Sequence, residues 1–413
     1  MIMRVVITGM GAVTPAGNNP DELFERVLSG VTTAAEITAF DTEGHKCRFA
    51  CEVKDFDPTA FGIDAKAARR MDRYCQFAVA AAEQAYTMAG FDREGLDITR
   101  CGVIFGSGIG GMHTFEEENR KLIEKGPARV SPVFIPMMIS NMACGQIAMR
   151  YGFKGTCFAT VTACASGATA LGEAFRHIKD GYGDVVIAGG AEATVTPLAV
   201  AGFSNMTALT HGDTPETCSL PFDKRRSGFT MGEGGAALVL ESYEHARARG
   251  AKIYGEIIGY GTTSDAYHIT APDPEASGAT LAMTGAMREG GITPDMVDYI
   301  NAHGTGTAHN DSSETLAIKK ALGDAAYKVS ISSTKGVTGH MLGAAGAAEA
   351  IITAMALASG TVPPTANLRE PDPELDLDYT PLEAKTRDMH YALSNSLGFG
   401  GTNVSLLFKK YED

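Results

Sequence analysis

Residues 157–178 read CFATVTACASGATALGEAFRHI, and this stretch gives the first indication of the fold. Its β-prone beginning leads into a turn of small residues, and a helical stripe of apolar residues follows. Residues 327–358, YKVSISSTKGVTGHMLGAAGAAEAIITAMALA, repeat the order of strand, small-residue turn and helix. The repeat predicts a duplicated chain with a boundary near residue 250, so that its two halves cover 1–250 and 251–413.

Apolar runs of strand length that end in glycine turns recur along the rest of the chain. Helical patterns stand between these runs, and strands that alternate with helices predict an α/β fold with largely buried sheets. The runs are RVVITGMGAV, CGVIFGSGIGG, DVVIAGGAEA, AALVLE, MVDYINAHGTGT and YALSNSLGFGGTN.

The composition is that of an ordinary soluble globular protein, with 413 residues, 44% hydrophobic and 20% charged. The formal net charge of -14 argues against nucleic acid as the main partner, because phosphate binding needs a basic face. We find no apolar run that approaches the roughly 20 residues of a membrane span. The N-terminal segment MIMRVVITGMG has no hydrophobic signal core. We therefore expect a cytoplasmic protein that binds neither nucleic acid nor membrane.

Signals for a metal or a nucleotide cofactor are weak. The eight cysteines form no CxxC pair, and His45, Cys47 and Cys51 have no second pair to close a tetrahedral zinc site. The glycine loops TGMGAVTPAG and GSGIGG do not complete the GxGxxG fingerprint of a dinucleotide site. We expect reduced thiols, no metal and no nicotinamide cofactor.

One basic segment stands against the acidic balance of the chain. In DAKAARRMDRY, four cations follow i, i+3, i+4, i+7 spacing, which predicts that they share one helical face. Such a face is either simply solvated or a docking surface for an acidic partner. The residues alone leave both interpretations open for Lys66, Arg69, Arg70 and Arg73.

Cys164 lies at the junction between the β-prone segment FATVTA and the helical segment that follows. Unpaired amides and the positive dipole end of a helix stabilise a thiolate and bind a developing oxyanion. The small neighbours Ala163 and Ala165 allow the tight strand-to-helix turn that a nucleophile requires. Buried cysteines are, however, more often inert, so an inert and a nucleophilic Cys164 both stay open at this point.

Two histidines in the second half are candidate partners for that thiol. His303 follows the strand VDYINA, and His340 lies in a turn before a helix of very small residues. Loops at the carboxyl ends of buried strands usually gather ligands. With an elbow cysteine, the two histidines would form a thiol-dependent acyl-transfer site. Lys335 and Glu349 flank His340 and form either an orienting ion pair or a purely structural one.

Four segments taken together resemble a known family. VTACASG, NAHGTGT, SSTKGVTGHMLGAAGAAE and NSLGFGGTN resemble, in order and spacing, the β-ketoacyl-acyl-carrier-protein synthases of the thiolase superfamily. The likeness runs nearly end to end, from VVITGMGAVTPAG through PFDKRRSGFTMGEGGAALVLE to GFGGTNVSLLFKK, and it is closest to the elongating synthase II type. It implies a thiolase-like fold in which two duplicated βαβαβ-type halves form a layered α-β-α-β-α core.

The resemblance also implies a reaction. A 3-oxoacyl-acyl-carrier-protein synthase condenses malonyl-ACP with an acyl-enzyme thioester, with loss of carbon dioxide, in fatty acid elongation. Cys164 is then the nucleophile that accepts the acyl chain, and His303 and His340 act on the malonyl thioester. Decarboxylation creates the carbanion without a further base, and neutral imidazoles are suitable donors to the enolate. The resemblance therefore implies no cofactor, because phosphopantetheine arrives on the acyl carrier protein.

Further positions take roles through the same resemblance. Lys335 and Glu349 match positions that support the histidines. Phe399 matches the gating phenylalanine, and its backbone amide forms the oxyanion hole with that of Cys164. The pantetheine arm would contact Thr270, Thr305 and Thr307. The acyl pocket would include Ile109, Phe203 and Phe134, the last lent by the partner in a homodimer. The acidic carrier protein would dock on Lys66, Arg69, Arg70 and Arg129.

Two departures from the family pattern leave specificity open, although neither touches a catalytic role. Ser227 replaces a common aspartate, and Ala165 stands where threonine or serine is frequent. A polyketide-type ketosynthase subunit and a synthase I type share the same motifs and stay as alternatives. A thiolase is disfavoured, because its second cysteine lies near the C-terminus and the last cysteine here is Cys218. A non-catalytic acyl-carrier or lipid-binding scaffold is disfavoured because Cys164 and both histidines are present.

Overall fold

The computed structural model describes residues 3–92 and 95–412, and its core is one large mixed sheet with helices on and between its two parts. The strands are β1 Val5–Val13, β2 Ala35–Glu36, β3 Phe49–Ala50, β4 Cys101–Gly106, β5 Cys157–Thr160, β6 Val185–Glu192, β7 Gly234–Ser242, β8 Gly255–Ser264, β9 Tyr299–Asn301, β10 Ser330–Ser332, β11 Thr361–Val362, β12 Lys385–Thr386, β13 Tyr391–Gly398 and β14 Thr402–Lys409. The helices are α1 Pro20–Leu28, α2 Ala65–Ala68, α3 Arg73–Ala89, α4 Met112–Lys125, α5 Phe134–Met138, α6 Met142–Tyr151, α7 Ser166–Lys179, α8 Pro197–Asn205, α9 Pro215–Cys218, α10 Tyr243–Ala248, α11 Ser277–Gly290, α12 Ala308–Leu322, α13 Lys335–Thr338 and α14 Ala345–Ser359.

The order of strands in the sheet repeats from its centre outwards. One side runs β1-β7-β6-β4-β5 and the other runs β8-β14-β13-β9-β10, with antiparallel inner pairs and parallel outer pairs on both sides. β1 and β8 join the two sides over three residue pairs, from Val5↔Ile257 to Ile7↔Gly255. The boundary near residue 250 falls between α10 and β8.

Helices form the remaining layers. α3 covers β1, β6 and β7 from outside, and α11 covers β8 and β14. Between the two sides lie α7, which contacts strands of both, and α14, which packs on α7 and β13. The predicted α/β class and its layered α-β-α-β-α core are therefore confirmed.

The two central helices cross closely because their contact is built from glycine and alanine. A Cβ on Gly167 would lie 2.7 Å from the carbonyl oxygen of Gly343. A Cβ on Gly346 would lie 2.8 Å from the amide nitrogen of Ala168. The small residues that the sequence repeats after each turn thus bring the turns themselves together.

One expectation about membranes needs correction. The segment Leu342–Ser359 is long and apolar enough to cross a membrane by length and composition, although we expected no such run. It lies in the interior of the protein, where 83% of it is buried. A fully buried core helix is apolar on every side, and this explains its composition.

The basic segment also differs from the prediction, because its four cations do not share one helix. α2 ends at Ala68, and Asp72 caps the start of α3 with a 3.2 Å hydrogen bond from the amide of Tyr74. Lys66, Arg69 and Arg70 are exposed. Arg73 instead turns inward, where its Nη2 lies 2.7 Å from Oε1 of Glu233.

Candidate active site

Cys164 lies on a strained turn between β5 and α7. The preceding residue, Ala163, has a φ of 49°, in the left-handed region that costs a residue with a Cβ about 1–2 kcal/mol. Ser166 fastens this turn: its Oγ donates to the carbonyl of Ala163 over 2.6 Å and accepts from the amide of Thr162 over 2.9 Å. The cysteine is 8% exposed, at the start of α7. The predicted junction of strand, tight turn and helix is confirmed.

Burial has the largest effect on the charge state of this thiol. Burial raises the pKa of Cys164 to about 12, and it outweighs the opposite effects of Lys335 and of the amides of Phe399 and Cys164. The resting group is therefore a thiol rather than a thiolate. Both amides nonetheless face the sulfur, which is the arrangement that an oxyanion hole needs.

His303 and His340 meet in the same cavity as Cys164, although the three residues are far apart in sequence. The cavity has a volume of about 280 Å³ and is lined by all three side chains. The imidazole ring centroids lie 5.2 Å apart, with the rings at 87° to each other. The backbone of His340 is held from both sides, because its amide donates to Thr230 over 2.7 Å and its carbonyl accepts from Gly232 over 2.8 Å.

Both imidazoles are neutral at physiological pH. Burial, with a further contribution from the Lys335 ammonium, holds the pKa of His303 and of His340 well below the usual 6.5. A neutral imidazole offers one N–H donor and one acceptor nitrogen. The cavity thus presents two uncharged groups that can donate a hydrogen bond or take up a proton.

Lys335 and Glu349 form a buried ion pair next to the histidines, through Nζ and Oε1. Burial raises the pKa of Glu349 to about 7, despite the opposing effect of Lys335. The ammonium of Lys335 acts on the pKa of both histidines and of Cys164. The two residues therefore lie together, and the charge of Lys335 reaches all three reactive groups.

Sequence reasoning missed the residue that orients the His303 loop. Glu314, in the second turn of α12, accepts the amides of His303 and Gly304 on its two oxygens, each over 2.8 Å. Asn395 donates a further hydrogen bond of 3.2 Å to the same carboxylate. An acidic residue in the first turns of a helix, directly after a glycine loop, was the signal that could have shown this.

The predicted substrate-binding residues fall into two groups. Thr270, Thr305, Thr307, Phe203 and Phe399 all line the cavity with Cys164. The hydroxyl oxygens of Thr305 and Thr307 lie 3.0 Å apart, and the rings of Phe203 and Phe399 have centroids 6.4 Å apart. Ile109 and Phe134 are not in this lining, and Ile109 is 42% exposed.

An aromatic residue that the sequence did not single out connects the two sides of the cavity. Phe229 lies edge-on to Phe203, with centroids 5.5 Å apart, and edge-on to His340 at 5.2 Å. The wall of the cavity next to the thiol is therefore apolar. Such a wall excludes water and accommodates an alkyl chain.

The four cations assigned to docking lie on the surface. Lys66 lies within α2, and Arg69 and Arg70 directly follow the end of that helix. Arg129 lies in the turn after α4.

Comparison with known proteins gives one consistent result. Residues 3–246 match the family described as beta-ketoacyl synthase, N-terminal domain, and residues 254–369 match its C-terminal domain. The chain is 52% identical over 410 residues to 3-oxoacyl-[acyl-carrier-protein] synthase 2 of Synechocystis, covering 99% of this chain and 98% of that protein. It is 51% identical over 410 residues to the protein of the same name from Staphylococcus aureus, covering 99% of both.

Solved structures agree with these sequences. The ishigamide ketosynthase/chain length factor superposes with a TM-score of 0.94 at 36% identity over 100% of both chains. A type II polyketide ketosynthase, solved with its acyl-carrier protein and bound to the hexaketide, gives 0.92 at 32% identity, again over 100% of both chains. A beta-ketoacyl synthase from Burkholderia phymatum gives 0.91 at 36%, over 99% of this chain and 100% of that one.

Proposed function

This chain belongs to the β-ketoacyl synthase family, and we propose that it is an elongating 3-oxoacyl-acyl-carrier-protein synthase. The observation that carries the proposal is the convergence of Cys164, His303 and His340 on one cavity. The first half of the chain supplies the nucleophile, and the second half supplies two neutral imidazoles.

The first half-reaction moves an acyl group onto the enzyme. The sulfur of Cys164 attacks the thioester carbonyl of acyl-ACP, and the bond from that carbonyl to the carrier's sulfur breaks. With a pKa of about 12, the thiol must give up its proton during attack, and a neutral imidazole beside it is a suitable base. That proton ends on the released pantetheine thiol, so the step is balanced. The amides of Cys164 and Phe399 stabilise the oxyanion that forms.

The second half-reaction joins the new carbon unit. The bond to the malonyl carboxylate breaks, carbon dioxide leaves, and the electron pair passes into an enolate of the thioester. The N–H groups of His303 and His340 donate to the enolate oxygen. The enolate carbon attacks the carbonyl carbon of acyl-Cys164, the carbon–sulfur bond to Cys164 breaks, and the released thiolate takes up one proton from water. Because decarboxylation itself supplies the carbanion, the proposed reaction uses no metal, nicotinamide or flavin.

The substrates of this reaction arrive on acyl carrier protein, which we propose as the partner. Thr270, Thr305 and Thr307 line the cavity and would hydrogen-bond the pantetheine arm. Lys66, Arg69, Arg70 and Arg129 are exposed cations on a chain of net charge -14, and they suit an acidic carrier. Reversal of the charge at Lys66 and Arg69 should raise KM for carrier-bound substrates and spare small thioesters. An equal effect on both substrate classes would contradict the docking proposal.

We also propose a homodimer that works in the cytoplasm. β5 is an end strand of the sheet, and Phe158 in β5, Val161 just after it and Ile135 in α5 expose their apolar side chains. An exposed apolar edge strand pairs readily with another chain. Pairing through β5 would cover these side chains and bring Phe134 towards the cavity of the partner subunit. Sedimentation of wild type and Phe158→Lys tests this, and a monomeric wild type would contradict it.

A polyketide-type ketosynthase is the second candidate, because a type II polyketide ketosynthase and a ketosynthase/chain length factor share the fold at TM-scores above 0.9. Identity to them is 32–36%, against 51–52% to the two synthase 2 proteins. The elongating function is therefore favoured. A product that grows past one condensation without a chain-length-factor partner would reverse this order.

One assay tests the proposed function directly. Purified protein is mixed with acyl-ACP and malonyl-ACP without nucleotide, and 3-oxoacyl-ACP and carbon dioxide are followed. Acyl chains from C4 to C18 give the length preference, which one methylene changes by about 1–3 kcal/mol. A wild-type protein that forms no 3-oxoacyl product would overturn the proposal.

A further inference from the structure

The turn that carries Cys164 has a counterpart in the second half of the chain. Residues 163–165 form one helical turn before α7, and residues 342–344 form the same turn before α14. Ala163 has a φ of 49° and Leu342 has a φ of 46°, so both turns begin with a strained residue that is not glycine. Gly343 therefore occupies the position of Cys164.

The two turns face matched strand ends that carry different residues. Gly398 is the last residue of β13, and Glu192 is the last residue of β6. A Cβ on Gly398 would lie 3.4 Å from the amide nitrogen of Cys164. The glycine thus leaves that amide open to the cavity. At the counterpart turn, the carboxylate of Glu192 accepts the amide of Gly343 over 3.0 Å.

Glu192 is surrounded by donors. Its Oε2 also accepts the amide of Gly108 over 2.7 Å, and its Oε1 accepts the hydroxyl of Ser107 over 2.9 Å and the amide of Ile109 over 3.2 Å. The residue is 0% exposed, and within residues 3–92 and 95–412 it has no cationic partner at ion-pair distance. Four donors on two oxygens, with no cation, form a binding site for a carboxylate.

We infer that Glu192 is a positioning residue that holds two loops of the active site together. Its carboxylate occupies the anion site at the Gly343 turn, the counterpart of the oxyanion hole at Cys164. One loop, Ser107–Ile109, carries a side chain assigned to the acyl pocket. The other is the turn three residues after His340. The inference rests on the proposed function for its catalytic readout, although the anion site itself does not.

The consequence for the enzyme is a link between its two substrates. The family resemblance assigns Ile109 to the acyl pocket, although it lies outside the lining of the Cys164 cavity, and the proposed reaction places the malonyl group at His340. Glu192 is the group that both sides share. Without its carboxylate, the buried amide of Gly343 and the partly buried amides of Gly108 and Ile109 lose their acceptor, and each such loss costs a factor of up to about ten. The enclosing backbone would then relax on both sides at once.

Two variants and one small molecule test the inference. In Glu192→Ala, the condensation rate should fall about 100-fold. Acetate should raise the condensation rate of Glu192→Ala at least tenfold and should also raise its melting temperature. Chloride at equal ionic strength is the control. In Glu192→Gln, the amide oxygen can serve Gly108 and Gly343, while the NH₂ group opposes the amide of Ile109. This variant should lose transfer of long acyl chains more than malonyl decarboxylation, and acetate should not help it.

A matched control separates positioning from simple stability. Glu52 is also buried and also accepts two backbone amides, those of Thr38 and Ala39, but neither amide belongs to a loop that carries a residue assigned to the site. Glu52→Ala should lower the melting temperature, while its folded fraction condenses at the wild-type rate with or without acetate. A Glu192→Ala protein that behaves in the same way would overturn the inference.

The remaining outcomes are also decisive. If Glu192→Ala does not fold, Glu192→Gln decides, and wild-type rates at every chain length overturn the inference. If the wild type does not condense, the proposed function fails, and the acetate-dependent rise in melting temperature of Glu192→Ala alone tests the anion site. No rise in that experiment would contradict the site whatever the reaction is.

Discussion

The turns at Cys164 and Gly343 have the same backbone and are held in place by different means. Each closes with one hydrogen bond of the same kind, from Ala165 to Thr162 over 3.0 Å and from Ala344 to Met341 over 2.9 Å. Hydroxyl groups surround the first turn. Thr160 donates to the carbonyl of Ser166 over 2.8 Å, and Thr169 donates to the carbonyl of Ala165 over 2.9 Å.

Packing holds the second turn. Leu342 is buried in the same apolar cluster as Cys164, and Ala344 and Ala345 are buried in the main core. A well-packed interior helps to fix a strained backbone, and the Glu192 carboxylate adds its hydrogen bond from the amide of Gly343. The difference teaches that the duplicated fold supplies the geometry twice, whereas the chemistry depends on which side chains stand at Cys164, Ser166 and the facing strand end.

Removal of the nucleophile Cys164 gives the largest expected effect, because the Cys164 turn, like the Gly343 turn, then has no thiol that can accept an acyl group. Cys164→Ala should lower condensation by about 10⁴-fold or more, because no acyl-enzyme can form. Decarboxylation of malonyl-ACP should persist, since His303 and His340 are untouched. Product formation and carbon dioxide release are measured side by side. His303→Ala is the control, in which carbon dioxide release should disappear as well, and condensation by Cys164→Ala would disprove the mechanism.

The second test adds a methyl group at Gly398, next to the amide of Cys164 that is proposed to form the oxyanion hole. A Cβ at position 398 would lie 2.7 Å from the carbonyl oxygen of Thr162 and 3.4 Å from the amide of Cys164. Gly398→Ala should therefore slow acyl transfer by about 10²-fold, the cost of losing an oxyanion donor. The rate of acyl-enzyme formation is the measurement. Gly400→Ala is a poor control because Gly400 has a φ of 86°, so Gly202→Ala, where a Cβ meets no atom within 4 Å, serves instead. An unchanged rate in Gly398→Ala would show that the amide of Cys164 is not used.

Much of this site could be predicted from the sequence because its main residues lie in the loops that follow strands of the sheet. Cys164, His303 and His340 stand in short glycine-rich or alanine-rich loops, and the sheet brings such loops to one place. The ion pair of Lys335 and Glu349 was also predicted, since α13 and the start of α14 are close in sequence.

Two of the residues that were missed, Glu314 and Glu192, act through their carboxylates on backbone amides, and only the position of Glu314 after a glycine loop left a signal in the sequence. In the sequence, Glu314 looks like one of several charged residues in a helix, and Glu192 looks like a polar residue that ends an apolar strand. The sequence did not show how deeply Cys164 is buried, and burial outweighs the effects of the nearby amides and Lys335 on its pKa. The continuous basic helix was wrong because Asp72, a helix-capping residue in the sequence, starts a new helix at Arg73.

His340, which lies three residues before Gly343, makes the free energy of unfolding depend on pH, and we expect this effect to be smaller. The pKa of His340 is well below 6.5 in the folded protein, so the unfolded chain takes up a proton that the folded chain does not as pH falls below 6.5. Stability from the neutral ring is therefore present above pH 6.5 and is lost below it, by up to about 1.4 kcal/mol over one pH unit. Urea unfolding of wild type and His340→Gln should show this difference. Equal slopes for both proteins would contradict a neutral buried ring.

The last expected effect comes from Ser166→Ala, which gives the Cys164 turn the residue found at the same position after Gly343. Ser166 and Ala345 hold the same position, two residues after Cys164 and Gly343. Ser166→Ala removes the hydroxyl that joins the amide of Thr162 to the carbonyl of Ala163, and should cost about 1–2 kcal/mol of unfolding free energy. Acyl-enzyme formation should slow as the strained Ala163 relaxes, whereas malonyl decarboxylation should stay near the wild-type rate. Thermal unfolding and the two half-reaction rates decide the matter. If Ser166→Ala matches the wild type in all three, the first turn needs no hydroxyl group at position 166, just as the second needs none at Ala345, and the distinction between the turns reduces to Cys164 and Gly398.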